Sequence, residues 1–97
     1  MREAQFQAKV IQWFKNQGAY VINQWGGPYT RAGIPDLTIC YEGTFIALEL
    51  KTETGKPTEL QLYHIREINK AGGYARILRP SEFEEFKKEV IRGAILS

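Results

Sequence analysis

Three charged residues stand where a chain of this composition would ordinarily put apolar ones. Asp36, the sole aspartate, follows Pro35 at the head of the run Leu37-Thr38-Ile39. Glu49 and Lys51 break into a second apolar run, Ala47-Leu48-Glu49-Leu50-Lys51. Side chains two apart on a strand share a face, so Glu49 and Lys51 point the same way. Two carboxylates on neighbouring strands, with a lysine beside them, form a hard-oxygen site suited to magnesium or manganese. Phosphodiester hydrolysis asks for such a set: a Lewis acid on the phosphate, an activated water, and positive charge where negative charge builds. Two carboxylates ~5 Å apart repel by roughly 3 kcal/mol at an effective dielectric near 20, a strain that one divalent ion relieves. The competing reading is a structural ion pair of Lys51 with Glu49 or Asp36.

The totals narrow the alternatives. Ninety-seven residues make one domain, which buries about 60–65% of the surface exposed by the unfolded chain. A core of that size often gains from dimerisation. The formal charge of +2 and pI near 8.8 permit a nucleic-acid partner, but argue for one only if the charges segregate in space. Cys40 and His64 are the single cysteine and histidine, so neither an internal disulfide nor a Cys/His zinc site can form. The N-terminal residues do not read as a signal peptide, and no apolar stretch approaches the ~20 residues of a membrane span. A cytoplasmic protein is expected, whether cellular or virus-encoded and acting in its host.

The elements that must position these residues run helix, three strands, helix, strand, helix. Residues 2–17 carry Phe6, Val10, Trp13 and Phe14 at i, i+4, i+7 and i+8, an apolar helical stripe ended by Gly18. Glu3 projects into that stripe. An acid in the first turn favours the helix dipole by roughly 0.3–1 kcal/mol, whereas an inward-facing acid would look toward a cation. Residues 19–25 read as a strand, and 26–33 as a loop in which glycines, Tyr29 and Arg31 suit close approach to a phosphate backbone. Residues 36–41 and 45–51 alternate as strands joined by the tight connection Glu42-Gly43-Thr44, and so pair antiparallel. That hairpin brings Asp36 toward Glu49 if the register matches their faces.

Thr58-Glu59-Leu60-Gln61 has the form of a capping box that opens a second helix, closed by Gly72-Gly73. Gln61 lies near its buried edge, so that capping and a role in the site are compatible. His64 lies on the same apolar side and reads as a core or interface residue. Leu62 and Tyr63 fall off the stripe and suit a second contact surface such as a dimer interface. Residues 74–79 form a last strand stopped by Pro80. Ser81-x-x-Glu84 then caps a third helix bearing Phe83, Phe86 and Val90. Arg76, Arg79 and Lys70 are candidates for a basic surface.

These residues, in this order, carry a resemblance. Ile34-Pro35-Asp36 with Glu49-Leu50-Lys51 resembles the Pro-Asp…(Asp/Glu)-x-Lys nuclease superfamily. Gly33-Ile34-Pro35-Asp36-Leu37, the separate Glu-Leu-Lys strand and Gln61 at the next helix start resemble, more narrowly, the VRR-Nuc (virus-type replication-repair nuclease) family. The resemblance runs from Glu3 to about Arg79. It implies a single nuclease domain over residues 1–97, with an α/β restriction-endonuclease-like core whose central mixed sheet is flanked by helices. It also implies a site in which Asp36, Glu49 and the backbone carbonyl of Leu50 hold Mg²⁺ or Mn²⁺, with Lys51 as the catalytic lysine. Glu3, directly or through metal-bound water, and Gln61 would complete that site.

No catalytic position is substituted, so an active endodeoxyribonuclease is expected. DNA contacts are expected at Tyr29, Arg31, Lys56, Arg76 and Arg79, with no accessory DNA-binding domain. By the same resemblance the enzyme would be a homodimer cutting branched DNA such as four-way (Holliday) junctions, with an affinity that falls with salt. The alternatives are a non-catalytic DNA-binding module of the same fold, or a nuclease for flaps, single strands or a specific sequence.

Overall fold

A computed structural model describes residues 2–24 and 32–95. Its elements are α1 (Glu3–Asn16), β1 (Tyr20–Asn23), β2 (Leu37–Tyr41), β3 (Thr44–Leu50), α2 (Glu59–Lys70), β4 (Tyr74–Leu78), a 3-10 turn (Pro80–Glu82) and α3 (Phe83–Arg92). The order and types match the sequence expectation. The boundaries shift by a residue or two, as element ends commonly do.

One sheet, ordered β1-β2-β3-β4, organises the chain. β1, β2 and β3 are successive antiparallel neighbours, whereas β4 returns parallel to β3 after the α2 crossover. Alternation along the strands gives the sheet two different faces. Leu37, Ile39, Ile46, Leu48, Leu50 and Leu78 are fully buried on one face, in a cluster with Phe6, Val10 and Phe14 of α1 and Phe83, Phe86 and Val90 of α3. Each such aliphatic side chain contributes roughly 1.5–3 kcal/mol by leaving water. Edge-to-face packing of Phe6 on Phe83, with centroids 5.7 Å apart, ties the two helices together above the sheet. On the opposite face α2 lies over β3 and β4, and the side chain of Asn69 grips the backbone of Ala75 through both its amide groups, at 2.8 and 2.9 Å.

The start of α3 differs from the expectation. Ser81 does not cap it: its N–H and hydroxyl both donate to the Glu53 carboxylate, at 2.6 and 2.8 Å. The helix is entered instead through the 3-10 turn, where Glu82 reaches back to accept from the Arg79 N–H at 2.9 Å. Pro80 stops β4 and supplies the fixed φ that begins the turn.

Before β2 the chain passes close under the first turn of α2. Gly33 has φ +82°, and a Cβ there would lie 2.6 Å from Leu60 Cγ and 3.0 Å from the Leu60 carbonyl carbon. This abutment fixes the approach to Asp36. Gly33→Ala is therefore expected to destabilise the fold by roughly 1–3 kcal/mol, because the added methyl meets both an unfavourable φ and backbone. Urea denaturation checks it; an unchanged midpoint would mean that the loop is free to move away from α2.

Candidate active site

The β2–β3 register pairs Leu37 with Leu48 and Thr38 with Ala47, so one step further the same ladder sets Asp36 opposite Glu49. The amide of Lys51 turns toward β4 and donates to the Leu78 carbonyl at 3.1 Å. The amide of Leu50 consequently faces β2, where the strand has not yet begun, and the Asp36 carboxylate accepts from it at 2.9 Å through Oδ2. Asp36 thus takes the place of a backbone acceptor at the end of the ladder, which holds its carboxylate against β3. Its own carbonyl accepts from the Gln24 N–H at 2.7 Å.

Glu49 lies on the sheet face beneath α2 and is only 3% exposed. Gln61 Nε2 donates to its Oε2 at 3.0 Å, and Lys51 Nζ stands 3.6 Å from the same oxygen. Gln61 is fixed at its other end as well, since its Oε1 accepts from the Thr58 N–H at 2.8 Å while Thr58 Oγ1 accepts from the Gln61 N–H at 3.1 Å. The capping box and the site contact are therefore made by one side chain simultaneously. Burial, then the negative charge of Asp36, push the Glu49 carboxyl up to about 7, with Lys51 acting in the opposite direction.

Four expected residues thus come together: Asp36, Glu49, Lys51 and Gln61. Glu3 does not join them. Its side chain is exposed, and among the described residues no group of three or more His, Cys, Asp or Glu gathers around a common point. The physical reason is the helix end. α1 packs on the sheet face opposite Glu49, and side chains lean toward a helix's N-terminus, so the first residue projects past the packed surface that begins at Phe6. The expected DNA contacts fare unevenly. Tyr29 and Arg31 lie outside the described residues, and Lys56 is exposed.

Arg76 and Arg79 are turned to internal work. Arg76 meets Glu82 at 3.1 Å, donates to the Ile77 carbonyl and sits 5.5 Å from the Phe86 ring centre, on the edge of the core-side face. Arg79 Nη1 donates to the carbonyls of Thr52 and Gly55, at 2.6 and 2.7 Å. That second clamp, with Glu53 and Ser81, was not anticipated; polar residues in a Gly/Pro loop carry no periodicity that would reveal it. His64 is half-buried and packs toward Gly33, consistent with a structural place.

The donor set fits a hard divalent cation. Asp36, half-buried, and Glu49, buried, offer carboxylate oxygens side by side, and burial together with the charge of Asp36, only partly offset by Lys51, is what holds the Glu49 proton on. Compared with solved structures, the chain matches one described as "VRR_NUC domain", with a TM-score of 0.73 and 24% sequence identity, over 92% of this chain and 94% of that one. The chain thus shares the fold of that domain, with the α/β core that the resemblance implied. No family model and no curated protein matches the sequence.

The acid pair has a consequence for stability. Glu49 titrates near 4.5 when unfolded and at about 7 when folded, so the unfolded chain loses this proton first as pH rises. Metal-free protein should therefore lose stability between about pH 4.5 and 7, by a few kcal/mol at about 1.4 kcal/mol per unit. Glu49→Gln is expected to remove this slope and to be more stable than wild type at pH 8 in EDTA. Urea denaturation at pH 5 and pH 8 measures both; parallel losses in the two proteins would contradict the assignment.

Proposed function

We propose that this chain is a magnesium- or manganese-dependent endodeoxyribonuclease of the VRR-Nuc type. The observation that carries the reading is the buried Glu49 beside Asp36, with Lys51 and Gln61 on the same Glu49 carboxylate, in a fold shared with a VRR_NUC domain. Asp36 and Glu49, with the Leu50 carbonyl, would hold the cation, which supplies Lewis acidity at the scissile phosphate and a more acidic water. Glu49 is oriented by Gln61, so that its oxygens need not reorganise when the site fills. Lys51 brings a positive charge to the rim of the site, where it orients the attacking water or offsets charge building on the phosphate. Glu3, exposed at the start of α1, is left with at most a water-mediated part. A DNA-binding module without turnover is the less favoured reading, because an acid pair held at such electrostatic cost has no use in mere binding.

Branched DNA as substrate and a homodimer as the working form belong to the same proposal. The dimer is supported by an apolar strip on the site-bearing face. Tyr20, Cys40 and Phe45 stand in one cross-strand row, Ile22 lies beside it, and Tyr20, Ile22 and Phe45 are all exposed. Tyr63 is a further exposed apolar residue, on α2.

Labelled four-way, flap, duplex and single-stranded DNA incubated with Mg²⁺, Mn²⁺ or EDTA tests the activity. Cleavage is expected with metal and not with EDTA, strongest on the four-way junction, and reduced roughly 10²-fold or more by Asp36→Ala or Lys51→Ala. Thermal shift gives a second readout: either metal should raise the midpoint of wild type and leave Asp36→Asn unmoved. Cutting that persists in the Asp36 and Lys51 variants would overturn the site, while tight binding without cutting would favour the non-catalytic module. Light scattering should give a dimer that Phe45→Lys weakens; a monomer at micromolar concentration, with single nicks, would remove the dimer from the proposal.

A further inference from the structure

The turn that follows Lys51 is held far more firmly than a polar surface loop requires. Residues 52–55 close on themselves, the Gly55 N–H donating to Thr52 Oγ1 at 3.0 Å. One nitrogen of Arg79, Nη1, then donates to both ends of the turn, the Thr52 and Gly55 carbonyls. A second contact locks the middle, where Glu53 accepts from the N–H and hydroxyl of Ser81. Both anchors belong to residues 79–81, just beyond β4, and the Lys51 amide is itself tied to Leu78 at the end of that strand.

The turn also runs beside the lysine. A Cβ added at Gly55 would be in van der Waals contact with Lys51 Cδ, at 3.6 Å, so the backbone at 55 passes alongside the lysine stem. Lys51 is a long flexible side chain with a point charge at its tip, and freezing its rotamers is what a precise charge placement costs. The turn beside the stem on one side and the Glu49 carboxylate 3.6 Å from Nζ on the other bound the space open to the ammonium.

We propose that Arg79 is a positioning residue for Lys51: by pinning the 52–55 turn it holds the lysine stem, and so the ammonium, at the Glu49 carboxylate. It acts through the turn and does not bind the DNA backbone. This rests on the nuclease reading for its kinetic consequences, but not for its structural ones.

The test uses the full chain with Arg79→Gln and Arg79→Lys. Arg79→Gln leaves two carbonyls without their donor and should lower kcat about tenfold or more. KM and the salt dependence of DNA binding should stay within about twofold. Arg79→Lys, which still donates to the turn, should recover part of kcat. In a Lys51→Ala background the Arg79→Gln effect should disappear, because there is no lysine left to position. The ¹³Cε and ¹⁵Nζ signals of Lys51 should become motionally averaged in Arg79→Gln, while the remaining backbone spectrum stays that of the folded protein.

A raised KM with a salt slope reduced by about one, at unchanged kcat, would overturn the proposal in favour of a phosphate contact. A kcat loss that is the same with and without Lys51 would overturn it in favour of general destabilisation. If wild type cuts no DNA the nuclease reading fails by itself. The Lys51 signals then still decide the positioning, with equal mobility in wild type and Arg79→Gln counting against it.

Discussion

Glu42 and Gly43, with φ of 47° and 81°, turn the chain through two residues, and that turn pairs Leu37 with Leu48. Left-handed conformations at both positions match the twist of a two-residue hairpin. The same register decides the chemistry, because it sets Asp36 across from Glu49. A slip by one residue would send Glu49 into the Phe6–Phe14 core and bring Leu48 or Leu50 to the site. The large aliphatic side chains on the core face therefore guard the carboxylates on the other. They make the wrong register expensive.

The acid pair is an electrostatic load carried by that core. Glu49 is buried beside a second carboxylate with one lysine near, and the fold answers by holding a proton on it near neutrality. Proton and cation are alternatives for the same excess charge. Rigidity around the pair is built from ordinary parts: a ladder amide that faces Asp36, a helix cap that reaches Glu49, and a clamped turn behind Lys51. None of these is a metal ligand, yet together they keep the donors where repulsion would otherwise spread them.

Much of this was legible in the sequence. Period-two alternation around Ile39 and Leu48 gave the strands and their faces, and 3.6-residue spacing of Phe6, Val10 and Phe14 gave α1. Charges at Asp36, Glu49 and Lys51 stood out against apolar surroundings, and Thr58 to Gln61 announced a helix start. Glu3 was misjudged because a helical wheel has no ends, whereas a real helix stops, and its first side chain leans off the packed face. The internal partners of Arg76 and Arg79 were not foreseen because a charge on a strand looks like surface until its partners are seen. Glu82 lies six residues beyond Arg76, and Thr52 and Gly55 lie 27 and 24 residues before Arg79, separations that no strand or helix period links.

The amide of Gln61 has one usable orientation. Its oxygen faces the Thr58 N–H and its nitrogen faces Glu49, and both ends are engaged. In a capping box at an ordinary helix start, glutamate serves this position as well as glutamine. Here glutamate would close the cap equally well but turn an oxygen toward an oxygen, adding a third negative charge beside Asp36 and Glu49. The helix accepts either side chain and the site only one. Position 61 is thus where a rule of local folding is narrowed by chemistry twelve residues away in sequence.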